Sequence, residues 1–199
     1  MLCVAGAVTS SSIVAFPFAR LRFPGRDQLF ITLLATMMLP GQVTLIPTYL
    51  IFTRLGWLDT FLPLFIRSWA ADPFHVFLLR QFFMTIHREL DDAARIDGCG
   101  FFGLYWRIAL PLSLPALGVV SIYEFTYNWN EFLLPLIYID SLEKFPIALG
   151  LQMLQGRYRT DMGSMMAAAL LAIAPLLIIF FFAQRYFVRV YRKSPFSQS

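Results

Sequence analysis

The chain has 199 residues, 58% of them hydrophobic and 14% charged, with a formal net charge of +4. A soluble domain carries about 25% charged and about 45–50% apolar residues. This composition excludes an ordinary soluble fold, and its apolar residues fall in long runs, which points to one all-α, polytopic transmembrane helical bundle.

A helix needs about 20 apolar residues to cross a hydrocarbon core, and five segments approach that length. The first, residues 1–19, is softened by Thr9-Ser10-Ser11-Ser12. The second, 29–52, is interrupted by Pro40-Gly41 and Pro47. The third is 61–84. The fourth, 110–136, is entered through Pro111 and Pro115, and the fifth, 165–188, contains Pro175. Prolines inside spans are tolerated where neighbours satisfy the freed carbonyls, so a packed bundle with bends is expected.

The pI of about 9.3 does not indicate nucleic-acid binding. The basic residues are 14 Arg and 2 Lys, none forms a dense block, and they sit beside apolar segments. Their distribution sets topology instead. Eleven of them fall on one side: Arg20, Arg22, Arg26, Arg80, Arg88, Arg95, Arg107, Arg185, Arg189, Arg192 and Lys193. Four fall on the other: Arg54, Lys144, Arg157 and Arg159; Arg67 lies within the third segment. Positive-inside then gives an external N-terminus and a cytoplasmic C-terminus in the inner (plasma) membrane. The first residues carry neither a basic n-region nor a small-residue cleavage site, so no signal peptide is expected. An external N-terminus on a first span starting at Met1 leads to the expectation that a preceding span is missing. On this topology Cys3 and Cys99 lie on opposite sides, so no disulfide is expected, and they fit no metal spacing. His75 and His87 are too few for a metal site alone. His75 is read as a packing residue and Arg67 as one that snorkels to the outer surface.

The most informative stretch joins segments three and four. Leu90, Ala93, Ala94 and Asp97 fall at i, i+3, i+4 and i+7, one helical face that is small and mostly apolar. Gly98 can adopt the left-handed conformation that ends a helix. A second apolar-rich segment, residues 101–108, follows at once and ends in Leu110-Pro111. The pattern predicts a short cytoplasmic helix, a sharp turn and a helix leading back into the membrane, with a face that another backbone could approach closely. Alone, such a charged stretch is usually just a solvated connector.

Here the chain resembles a family. Asp92-Ala93-Ala94-Arg95-Ile96-Asp97-Gly98, followed by Leu110-Pro111-Leu112 and Pro115, is similar to the EAA motif of ABC importer permeases. Ala19-Arg20-Leu21-Arg22-Phe23-Pro24-Gly25-Arg26, Leu39-Pro40-Gly41-Gln42, Leu79-Arg80-Gln81-Phe82-Phe83, Trp129-Asn130-Glu131-Phe132 and Gln184-Arg185-Tyr186-Phe187-Val188 resemble the carbohydrate-uptake branch of those permeases. The resemblance implies a single permease domain over residues 1–199, lacking its first span, with a coupling loop at 86–108. It implies that Asp92, Ala93, Ala94, Asp97 and Gly98 dock on a cytoplasmic ATPase. The implied partners are ATP-binding subunits, a second permease subunit and an extracytoplasmic solute-binding protein; the implied substrate is a sugar or related polyol. The chain departs from the family pattern in having Asp92 for the usual Glu, Cys99 for the usual Ala, and five spans for the usual six.

Segment four carries Glu124, Tyr127, Asn128 and Glu131 on one helical face. Ionisable residues inside a span are costly and usually face a cavity or a partner. Both readings stand: helix–helix hydrogen bonding, or the lining of a substrate path. Counted along a straight helix from Leu112, Glu124 lies about 18 Å in. Tyr123 and Trp129 offer flat surfaces to sugar rings. The chain has no Gly-rich loop ending in Gly-Lys-Ser/Thr, so ATP hydrolysis is assigned to another subunit. No set of nucleophile, base or metal ligands points to an enzyme, and no cofactor is expected. The alternative is a multi-pass transporter or channel not coupled to an ATPase, which predicts inverted repeats or an ion relay; neither is evident.

Overall fold

A computed structural model describes residues 1–153 and 162–192, and every regular element among them is helical. Arg157, Arg159 and Lys193, three of the topology-setting residues, lie outside the described residues. The chain forms two compact units, residues 1–46 with 66–121, and residues 47–65 with 122–199.

The first unit is organised by α1 (Leu2–Arg20) and α5 (Pro73–Thr85). The buried side of α1 is almost all small: Gly6, Ala7, Ser11, Ser12, Ala15 and Ala19, with Phe16 as the one large residue. Small residues let helices approach closely in a membrane, where lipid provides no hydrophobic drive. Val76, Leu79 and Phe83 of α5 are wholly buried in the same core. At Gly6 a Cβ would collide with the Trp69 indole, so the ring occupies the place a side chain would take. Two of the serines that soften segment one are used: Ser12 shares a 2.7 Å buried hydrogen bond with the Tyr105 hydroxyl, and Ser10 accepts from the Ala71 amide.

The second segment is a bent pair. α2 (Arg26–Ala35) and a 3₁₀ turn (Thr36–Met38) lead through Leu39-Pro40 into α3 (Gly41–Arg54), whose axis is turned by 91°. The third segment departs from expectation. α4 (Leu62–Ile66) and a 3₁₀ turn at Arg67–Trp69 stop short, Ala71 takes a positive φ of 55°, and α5 starts afresh at Pro73. The Asp72 carboxylate accepts from the Phe74 and His75 amides, 2.9 and 3.3 Å, satisfying the first free N–H groups of α5. A helix of 13 residues is about 20 Å long, short of a core about 30 Å thick.

Beyond α5 come α6 (Arg88–Ile96), α7 (Phe101–Leu104), a π-helical turn (Tyr105–Ala109) and α8 (Leu110–Leu112). The path bends by 74° at Ser113 into α9 (Leu114–Asn130). Segment four therefore starts earlier than expected, ends at Asn130, and is followed by a separate α10 (Leu133–Tyr138). The straight-helix depth for Glu124 does not hold across that bend; measured along α9 from Leu114 it lies about 15 Å in. After α11 (Ile147–Met153), α12 (Met162–Arg192) contains Pro175. Among the described residues two helices, Leu2–Arg20 and Met162–Phe182, are long and apolar enough to cross a membrane, or up to four if each bent pair is one span. The third segment is divided at Ala71 and Asp72 and has no single helix of that length.

In the second unit Tyr138 is the pivot. It is buried, stacks on Tyr49, meets Phe52 edge-on and shares a hydrogen bond with the Thr48 hydroxyl. The next residues form a clasp around Asp59, which sits at φ 53°. Its carboxylate accepts from the Asp140 and Ser141 amides, the Ser141 hydroxyl and the Lys144 ammonium. The Lys144 ammonium, then the Ser141 hydroxyl and amide, hold the Asp59 carboxyl well below the usual carboxylate range.

Candidate functional site

The loop predicted to dock on a partner is a helix with the predicted stop. Gly98 has φ +80°; its amide donates to the Arg95 carbonyl at 3.0 Å, and the Cys99 amide reaches back to Ala94 at 2.9 Å. Those two bonds satisfy the last carbonyls of α6 in a Schellman arrangement, which requires the left-handed residue that glycine supplies cheaply. Nothing lies within 4 Å of where a Gly98 Cβ would stand, so the constraint is backbone conformation alone.

The face read from the sequence divides. Ala94 is 6% exposed and belongs to the unit's own core, so it is not open to a partner. Asp92, Ala93, Asp97 and Gly98 are exposed. Apolar groups that the sequence reading did not single out stand beside them: Ile96 is 87% and Phe102 84% exposed. A groove of about 390 Å³ opens at the turn, lined among others by Asp97, Gly98, Cys99, Phe102 and Trp106. Cys99 packs its sulfur toward Gly103, where a Cβ would lie 3.2 Å away. Cys3 and Cys99 are both free thiols.

The polar face of α9 also divides. Glu124 is 7% exposed, and the Asn128 amide donates to both its carboxylate and its backbone carbonyl, each at 2.8 Å. Tyr127 is exposed. Glu131 lies past the end of α9, and its carboxylate accepts from the Leu133 and Leu134 amides at 3.0 and 3.2 Å, capping α10. Trp129 stacks on Phe125 and donates its indole N–H to the Ala172 carbonyl of α12, one turn ahead of Pro175. Its ring edge thus ties α9 to α12. Among the described residues no group of three His, Cys, Asp or Glu side chains could hold a metal ion.

Sequence reasoning missed two ion pairs. Arg20 meets Asp91 at 3.1 Å, and Lys144 meets Asp59 at 2.8 Å. The partners stand 71 and 85 positions apart, and nothing in one sequence pairs charges across such distances.

Residues 7–193 match the family model described as binding-protein-dependent transport system inner membrane component. The chain belongs to this family. Among its relatives is the probable ABC transporter permease protein YurM of Bacillus subtilis, 37% identical over 181 residues, which cover 90% of this chain and 60% of YurM. Another is the arabinooligosaccharides transport system permease protein AraQ of the same organism, 35% identical over 178 residues, 89% of this chain and 63% of AraQ. This permease-family chain therefore spans less than two thirds of the length of those relatives. A solved bacterial ABC transporter, involved in the import of the acidic polysaccharide alginate, shares the fold: TM-score 0.77 at 24% identity, over 92% of this chain and 71% of that one.

Proposed function

We propose that the chain is the membrane permease subunit of an ATP-driven importer that carries a sugar, oligosaccharide or related polyol across the inner membrane. The observation that carries this is α6: a helix with exposed Asp92 and Ala93, stopped at Gly98, with Ile96 and Phe102 bare beside a groove. Uncovered apolar groups rimmed by charge mark a surface for a protein partner. The partner is the cytoplasmic ATPase, which hydrolyses ATP in place of this chain. A second permease subunit and an extracytoplasmic solute-binding protein complete the assembly. The saccharide class rests on AraQ, whose name gives arabinooligosaccharides. The basic residues orient the chain with α6 in the cytoplasm.

Substrate passes the polar face of α9. A buried carboxylate within a span is costly unless a partner or water solvates it, and Asn128 supplies one such bond to Glu124. A carboxylate and a carboxamide side by side are the acceptor and donor types that sugar hydroxyls need. Glu131 serves this path only indirectly, by fixing the turn where α9 ends. The experiment is uptake kinetics set against yield of the assembled complex for Glu124→Gln and Asn128→Ala. The expected result is a changed rate or sugar preference, about tenfold for loss of a hydrogen bond to a charged group, with complex yield kept. Loss of complex in proportion to loss of uptake assigns the pair to helix packing.

A further inference from the structure

The first unit holds two arginines in reciprocal positions. Arg80 of α5 donates to the Phe18 carbonyl in the last turn of α1, and Arg20, the last residue of α1, donates to the Ile86 carbonyl at the end of α5, at 2.8 Å. Helix C-termini present unsatisfied carbonyls and the negative end of the dipole, so a cation is stabilised at each. Arg20 does more. Its other terminal nitrogen meets Asp91 in α6 at 3.1 Å, with the two side chains 4% and 16% exposed. One buried guanidinium therefore ties together α1, the end of α5 and the first part of α6.

The backbone attaches α6 differently at its two ends. It follows α5 directly through Ile86 and His87, but reaches α7 through Asp97-Gly98-Cys99-Gly100, a link with two glycines. A displacement of α6 can be absorbed at those glycines. It cannot pass α1 by while a buried, two-acceptor guanidinium holds the helices together.

We propose that the Arg20–Asp91 pair transmits movement of α6 to α1, so that the first helix moves with the docked helix during transport. This rests on the reading of α6 as the ATPase-docking element. Arg20 acts through α6 and need touch neither ATP nor substrate.

The test uses the full-length subunit in its assembled complex, in proteoliposomes with ATPase and binding protein. Two quantities are read: ATPase retained per permease, and ATP hydrolysed per substrate imported. Arg20→Gln and Asp91→Asn keep the ATPase bound but raise ATP consumed per substrate by about fivefold or more. Breaking one side of a buried pair can itself destabilise the fold, so the double variant, which leaves no unpaired charge, is included. It matches either single variant within about twofold, as expected of two groups acting as one unit. Asp91→Glu, which keeps the charge, stays coupled. The proposal is overturned by unchanged stoichiometry in the single variants, by losses that add in the double variant, or by uptake that falls only as ATPase content falls. Failure of the docking reading would instead appear as full ATPase retention by Ala93→Tyr, on the exposed side of α6.

Discussion

At Gly98 the protein depends on one backbone angle. With φ at +80° and open space around the missing Cβ, the cost of a side chain is conformational, about 1–2 kcal/mol for an ordinary L-residue. Asn, which tolerates that region, should be accepted there; a β-branched Val should not. The glycine's role was legible in the sequence because it ends a short charged helix. Asp59 was not legible, since its importance lies in partners drawn from residues 140–144. Its carboxyl is held below the ordinary range mainly by Lys144. A depressed carboxylate stabilises fully above its unfolded value, near 3.9, and the contribution is lost as pH falls toward the lower folded value. Melting of the purified protein should therefore fall below about pH 4, and Asp59→Asn should remove that part of the acid dependence while lowering the melting point at neutral pH. An identical acid profile in Asp59→Asn would contradict the clasp.

Among the elements, α5 departs furthest from the sequence reading. Residues 61–84 are apolar enough to read as one span, and hydropathy cannot distinguish a continuous helix from two short ones. What divides them is local chemistry: Ala71 at positive φ, Asp72 as an N-cap and Pro73 at the first helical position. The signal was present in Asp72-Pro73, outweighed by the apolar run. Asp72→Ala should cost about 0.5–2 kcal/mol, measured as lowered thermal stability; no change would mean that the cap is idle. α6 was legible in position and end, and Leu90, Ala93 and Asp97 of the face read from spacing are exposed. The burial of Ala94 was not, because a helical wheel shows which residues share a face but not which side meets the rest of the chain. For the same reason the α9 pattern brought Glu124 and Asn128 together correctly, yet could not show that the helix ends before Glu131.

At the scale of the molecule, membership of the transport family rests on a match across residues 7–193, and the remaining questions are direction and coupling. Orientation is tested by thiol labelling of intact cells after Cys3 and Cys99 are replaced. Glu143→Cys, on the expected outer side, should label directly, and Asp92→Cys only after permeabilisation; labelling of both from one side would overturn the topology. The central claim, that an ATPase drives transport by docking on the helix ended at Gly98, is tested most directly by ATP-dependent uptake of labelled oligosaccharide in complexes carrying Gly98→Val. Insertion and expression should be normal and Gly98→Asn should import near the parent rate, while Gly98→Val hydrolyses ATP without import. Normal uptake by Gly98→Val at normal expression would contradict the account.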